Sequence, residues 1–464
     1  MSGAERLSPA TVDQLPASVA RPGYARAAQR TGIVHLGLGA FHRAHQAVYT
    51  DAAMSAGDRD FAITGVSLRS PAVAEALLPQ DGLYTVTQRS AAGERVALVG
   101  ALREMLVAPR DGERLRAVLA APTTSLVTLT VTEKGYHRGP DGALDVVSVE
   151  AAGGTIYHHL ARAMADRRDA GAGGLTLVSC DNLAHNGAAL AASLGAWLDR
   201  TDPGLRGWFD AECACPSTMV DRIVPAARDA DLARTAAAIG LHDAAAVTTE
   251  PFMQWVIEDR FATRRPRWEL AGAQLVADVA PYEFAKLRML NGAHSALAYL
   301  GLERGHQFVH QAVADAAVRA TVERLMRDEA AASLTAAPGQ DLGAYADALL
   351  ARFANPALPH ALIQIAMDGS QKIPQRWLAT LRANAAEGRR CPATLTALAA
   401  WLRHVRGDGA PVNDPMAERL AALWRDVGES GIVAALFGER GLFADHWQAD
   451  AEDRAALDTR LREG

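Results

Sequence analysis

TGIVHLGLGAFHRAHQAVYTDAA, residues 31–53, joins an apolar run to a Gly37-x-Gly39 pair and then to a helical pattern. Strand, tight glycine turn and helix in that order form the phosphate-binding corner of a dinucleotide fold. The glycines let a pyrophosphate approach the backbone, and the helix start supplies N–H donors. Gly37, Leu38, Gly39, Ala40 and Phe41 are the expected cradle. The third glycine of the fingerprint is missing, and His42 stands in its place. His42, Arg43 and His45 fall in the first helical turn. Arg43 could reach a phosphate or the substrate, or share a solvated face with His45. A Gly-x-Gly pair also serves ordinary strand–helix turns. Its place at the first strand of an α/β series favours the nucleotide.

Outward from this corner, β-rich runs alternate with amphipathic stretches as far as about residue 280. IVHLGLG (33–39), FAITGVSL (61–68), LYTVT (83–87), RVALVG (95–100), SLVTLTVTE (125–133) and LTLVSCDN (175–182) are the expected strands. HQAVYTDAAMSAG, DGERLRAVLAA and GTIYHHLARAMADRRDAG are the helical patterns among them. Strands apolar on both faces and separated by helices predict a parallel, doubly wound sheet. LYTVTQRS and GERVALVG read as a hairpin inserted into it. After Pro281 the pattern is helical with Gly/Pro punctuation, and PYEFAKLRMLNGAHSALAYLG predicts a helix stopping at Gly301. The fold class is therefore α/β. A Rossmann-type doubly wound domain over residues 1–280 precedes a mainly α-helical domain over 281–464.

The 464 residues, 49% of them hydrophobic, suffice for two cores. A net charge of −6 gives no basic footprint for nucleic acid or an anionic membrane. No apolar run is long enough to span a bilayer, and the charged N-terminus has no apolar segment of a secretory leader. Four cysteines without CxxC spacing suggest reduced thiols and a cytoplasmic protein. Cys213-Ala-Cys215 lacks a second half for a metal site, so no metal is expected.

Lysine is rare. The chain holds only Lys134, Lys286 and Lys372, and the other 44 basic residues are arginines. In KLRMLNGAH (286–294), Lys286, Asn291 and His294 fall within an arc of about 140° on an α-helix. Oxidising an alcohol by hydride transfer needs a base for the hydroxyl proton and donors for the oxyanion. An ammonium among apolar neighbours can lose its proton near neutral pH, whereas a guanidinium cannot. Lys286 is the candidate base, although a lysine snorkelling from a core helix would look the same.

Three further stretches carry polar groups. SCDNLAHNG (179–187) follows a strand, where open α/β sheets bind ligands, and Asn182 could serve an oxyanion or cap a helix. MVDRIVP (219–225) holds Asp221 beside Arg222, as a site residue or half of an ion pair. AMDGSQKIPQRW (366–377) carries Asp368, Lys372 and Arg376 in a turn entering a helix, Asp368 being also a natural turn former.

This ordered set, with TVTEKGY and EPFMQWVIED, resembles the zinc-independent long-chain polyol dehydrogenases over roughly 30–455. That family includes mannitol 2-dehydrogenase, fructuronate reductase (mannonate oxidoreductase), tagaturonate reductase and arabinitol dehydrogenase. The resemblance implies a small sugar-acid or polyol substrate, no catalytic metal, and Lys286 as general acid/base. By the same resemblance Asn291 and Asn182 stabilise the oxyanion and His294 orients the substrate. Asp221, Lys372 and Asp368 would contact substrate, and Glu133 or Glu283 would relay the proton. Gln364 and Lys134 depart from the mannitol enzymes towards fructuronate reductase. A cation at Lys134 would suit a carboxylate, or else contact the cofactor or Glu133. After the second expected strand stand Arg69, Ser70 and Pro71, with no carboxylate for a ribose 2′-hydroxyl. That favours a 2′-phosphate, whereas the resemblance implies NAD, which is the expected cofactor.

Overall fold

The computed structural model describes residues 5–139 and 141–463. Residues 1–4, where the N-terminal stretch read for a leader begins, lie outside them, as do Pro140 and Gly464. The chain divides into two compact units, Met1–Val279 and Ala280–Gly464.

The first unit contains β1 (Thr31–Leu36), β2 (Ala62–Ser67), β3 (Tyr84–Ser90), β4 (Gly93–Val99), β5 (Leu102–Val107) and β6 (Leu126–Leu129). β7 (Thr176–Ser179), β8 (Thr218–Asp221), β9 (Val247–Thr249), β10 (Gln254–Glu258) and β11 (Gln274–Val276) follow. Five of them form a parallel sheet in the order β5-β2-β1-β6-β7. β2, β6 and β7 are buried along their whole length, as a sheet covered on both faces requires. The predicted hairpin is antiparallel β3–β4, which takes β9 as a parallel partner and makes a sheet of its own. β8, β10 and β11 make the third sheet. β5 was not among the expected strands. It lies at the sheet edge, where Arg103 pairs with Asp81 and Glu104 with Arg114, so its charges break the apolar pattern.

The second unit is helical, with no strand among its described residues. Helix Pro392–Arg406 is buried almost all round, by Leu395, Leu398, Trp401, Leu402 and Val405 among others. The buried Glu329 carboxylate accepts from the N–H groups of Ala393 and Thr394 at 2.7 Å each, satisfying two donors of that helix's first turn. The stretch predicted as one helix over 281–301 is a helix Ala280–Ala285, a π-helical turn Lys286–Asn291 and a helix Gly292–Glu303. Gly301 is not its stop. A Cβ there would lie 2.6 Å from Leu362 Cδ1 and 2.8 Å from Ala312 Cβ, so this glycine serves packing. The helix ends two residues later, and Gly305, at φ 77°, carries the chain away.

Candidate active site

In the first unit, the C-terminal ends of β1, β2, β5 and β6 open onto a groove of about 750 Å³. It sits where the strand order reverses on either side of β1, the usual ligand crevice of an open parallel sheet. Gly37, Leu38 and Gly39 line it, with Arg69 beyond β2. Gly37 has φ 102°, and a Cβ there would collide with the Thr130 carbonyl oxygen, so β1 and β6 can close only over a glycine. At Gly39 a Cβ would meet only the Gly37 carbonyl oxygen, at 3.7 Å. The backbone therefore leaves an unfilled cradle that a nucleotide's phosphates fit.

Ala40, Phe41, His42 and Arg43 are not among the residues lining the groove, and the buried side chains of His42 and Arg43 do not reach into it, which corrects the reading of Arg43 as a phosphate ligand. The helix after the turn is only Ala40–Ala44 before the chain breaks at His45, and it turns His42 and Arg43 inward. Arg43 donates to the Ala245 carbonyl and lies over the Tyr84 ring. His42 stacks on His35 at 3.4 Å between centroids, and His35 in turn bonds Thr128 of β6 and Thr130 just beyond it. The missing third glycine is thus a histidine because its ring packs beneath the turn.

Burial pushes His35 down to about 3 and holds His42 well below the usual imidazole range, so both rings are neutral at pH 7. Their folded-state pKa values lie below the unfolded value near 6.5. Their contribution is therefore full above about pH 6.5 and is lost as the pH falls towards 3. His42→Phe should keep the stack and remove one titrating group. As the pH falls below about 6.5, its unfolding free energy should fall less steeply than wild type's. Denaturant titrations across that range would read the difference; equal slopes would contradict it.

Beside the groove, Asp181 organises the loop between β6 and Tyr136. Its carboxylate accepts from the N–H groups of Val131 (3.0 Å) and Thr132 (2.7 Å) and from the Tyr136 hydroxyl (2.8 Å). Thr132 has φ 66° and ψ 163°, a region that essentially belongs to glycine. The chain then carries Glu133 and Lys134 outward, both exposed, while Thr132 and Gly135 line the groove. Asp181 was missed from the sequence, although an acid directly after a strand, beside Asn182, was the signal. Thr132→Gly should relieve the strained backbone and raise unfolding free energy by about 1 kcal/mol. A destabilised Thr132→Gly protein would show that the threonine side chain contributes more than its backbone costs. Asn182 is exposed just after β7, and Asp221 is buried at the end of β8. Neighbouring Arg222 donates to the carbonyls of Glu250 and Ala44.

In the second unit the π-turn corrects the angular reading of Lys286 and Asn291. On an α-helix, residues five apart diverge by about 140°, whereas i→i+5 hydrogen bonding stacks them one turn apart. The Gly292 N–H bonds the Leu287 carbonyl in that pattern. Lys286 and Asn291 thus share one face, and His294 follows one turn on in the α-helix. The carbonyls of Asn291 and Gly292 accept from Arg376 Nη1 at 3.2 Å and Trp377 Nε1 at 3.1 Å. Those two residues stand in another π-turn, Pro374–Leu378. His294 packs on Phe353 at 4.7 Å, and burial holds it well below the usual imidazole range, so its ring is neutral. Lys372 Nζ donates to the Met367 carbonyl at 2.5 Å and lies 3.9 Å from Asp368. Burial, then Arg376, lowers the Lys372 pKa. The strained αL position of Asp368, φ 56°, starts that short helix.

The profile described as mannitol dehydrogenase Rossmann domain matches residues 31–270, and the one described as mannitol dehydrogenase C-terminal domain matches 278–460. The chain belongs to the mannitol dehydrogenase family. It is 39% identical to the D-mannonate oxidoreductase of Escherichia coli (strain K12), over 94% of this chain and 93% of that one. It is 38% identical to a mannitol 2-dehydrogenase of Pyricularia oryzae, over 92% of this chain and 90% of the relative. Among solved structures, the Pseudomonas fluorescens mannitol 2-dehydrogenase ternary complex with NAD and D-mannitol aligns with a TM-score of 0.83. That match has 34% identity and covers 99% of this chain and 96% of the other.

As a member of the mannitol dehydrogenase family, the protein is an oxidoreductase with a Rossmann-type first domain and a helical second one. The structure sets Lys286 and Asn291 in the π-turn of the second unit and His294 in the helix after it, with Asp368 at the start of the short helix Gly369–Ile373 and Lys372 within it. In the first unit it sets Asp221 at the end of β8, and Asn182 and Lys134 in the segments after β7 and β6. Among the described residues, no three His, Cys, Asp or Glu side chains gather as a metal site, and no helix is long and apolar enough to cross a membrane.

Proposed function

We propose that this enzyme reversibly reduces D-fructuronate to D-mannonate, with NAD(H) in the groove of the first unit and Lys286 as the general acid/base. NAD(H), when bound, supplies or accepts the hydride. In the reducing direction the Lys286 ammonium gives its proton to the carbonyl oxygen as that oxygen gains charge. In the oxidising direction the free amine takes the hydroxyl proton. Asn291, one π-turn further on, and Asn182 donate hydrogen bonds to the oxyanion, and neutral His294 orients a substrate hydroxyl. Asp221, Asp368 and Lys372 hold the remaining hydroxyls, and Glu133 or Glu283 passes the proton to solvent.

The observation that carries the reaction type is the π-turn that stacks a rare lysine over an asparagine. Support for the sugar acid comes from exposed Lys134, in a turn whose neighbours line the groove, and from the likeness to a D-mannonate oxidoreductase. The second reading is oxidation of mannitol or arabinitol, and the likeness to mannitol 2-dehydrogenases supports its mannitol form. The four cysteines are free, which suits a cytoplasmic enzyme. Incubation with D-fructuronate and NADH, followed by chromatographic product analysis, tests the proposal. D-mannonate as a single epimer supports it, and no turnover, or a different epimer, contradicts it.

A further inference from the structure

The far end of the groove in the first unit differs from what a strict NAD site requires. Such sites place a carboxylate beyond the second strand. It accepts the adenosine ribose hydroxyls and repels a 2′-phosphate. Here β2 ends at Ser67, and the chain runs through Leu68, Arg69 and Ser70, all lining the groove. Among the described residues, no aspartate or glutamate lines it. Across the groove wall the Ala108 N–H bonds the Ser67 carbonyl at 2.9 Å, and Ala108 and Pro109 complete that corner without charge.

Arg69 is the other half of the observation. Arg110, Arg114 and Arg116, nearby in sequence, are each tied to a carboxylate. Arg69 is exposed and has no ion pair among the described residues, so its guanidinium meets an incoming ligand without first breaking a bridge. Ser70 Oγ accepts from the Ala72 N–H at 3.3 Å, which leaves its own proton to donate.

We infer that this corner is a 2′-phosphate subsite, so that the enzyme takes NADP(H) as well as NAD(H), with Arg69 and Ser70 as the phosphate's partners. The inference rests on the reading of the groove as the nucleotide site. A guanidinium–phosphate bond is charge-assisted and can be bidentate, and in a partly exposed site it should change affinity by about ten- to a hundred-fold.

Calorimetric titration of the full-length protein with 5′-AMP and with 2′,5′-ADP isolates the one phosphate at issue. The wild type should bind 2′,5′-ADP about tenfold or more tightly than 5′-AMP. That ratio should shrink as salt is raised and fall to near one in Arg69→Ala, with Arg69→Lys restoring part of it. The ratio is taken within each protein, so a general weakening of either variant does not enter. In turnover, wild-type kcat/KM with NADPH should lie within about tenfold of that with NADH. A ratio below about threefold in the wild type, or one that survives Arg69→Ala, overturns the subsite. If 5′-AMP binds and 2′,5′-ADP does not, the subsite alone is wrong. If neither nucleotide nor NADH binds, the nucleotide reading of the groove fails and takes the subsite with it.

Discussion

Replacing Lys286 with alanine should lower kcat by about three orders of magnitude or more while NADH binding stays close to wild type. A positioned acid/base contributes on the order of 10²–10⁴-fold, and no other lysine lies nearer in sequence than Lys372 to take the role. The split between kcat and nucleotide affinity follows from the layout, because the groove belongs to the first unit and Lys286 to the second. A base titrating in the free enzyme should also leave its mark on the pH profile of kcat/KM. The alkaline-rising limb of alcohol oxidation should vanish in Lys286→Ala, and a small primary amine in the buffer should restore part of the rate. Fluorescence titration with NADH beside steady-state turnover would show the split. A variant that keeps a tenth of wild-type turnover at its best pH would show that the base lies elsewhere.

The second large effect is one of discrimination. Lys134→Gly should weaken fructuronate reduction by about ten- to a hundred-fold in kcat/KM and barely change any activity on fructose. A charge-assisted hydrogen bond to a carboxylate contributes roughly 1.5–3 kcal/mol, and a neutral ketose has no group to receive it. The Asp181-bound loop offers the means. It fixes Thr132 in a strained conformation and so sets where the exposed Lys134 side chain begins. Steady-state kinetics on both substrates with NADH gives the comparison. Equal losses on the two would place Lys134 against the cofactor or Glu133 instead.

How much of this was legible in the sequence depended on which interaction fixed each piece. Strands buried on both faces stood out as unbroken apolar runs, and so β1, β2, β6 and β7 could be read. Their ends could not: SLVTLTVTE reads as strand to Glu133, yet β6 ends at Leu129 because Asp181, fifty residues on, draws the loop aside. β5 escaped because an edge strand can wear charges, and β8 to β11 because three to five residues carry too little periodicity. The Gly37–Gly39 corner was legible, but the inward turn of His42 and Arg43 depends on His35, Tyr84 and Ala245, which no local pattern reveals. Lys286, Asn291 and His294 could be named from spacing alone. Their alignment could not, since the π-turn is held by Arg376 and Trp377, some 85 residues away.

The most direct test of a lysine-catalysed keto-uronate reductase is the initial rate of NADH oxidation at 340 nm with fructuronate, tagaturonate, fructose and xylulose in turn. The account predicts that kcat/KM for fructuronate exceeds that for fructose and xylulose by at least about tenfold, the contribution of one charge-assisted contact. A preference for fructose, or for mannitol in the reverse direction, would contradict it and make this enzyme a polyol dehydrogenase.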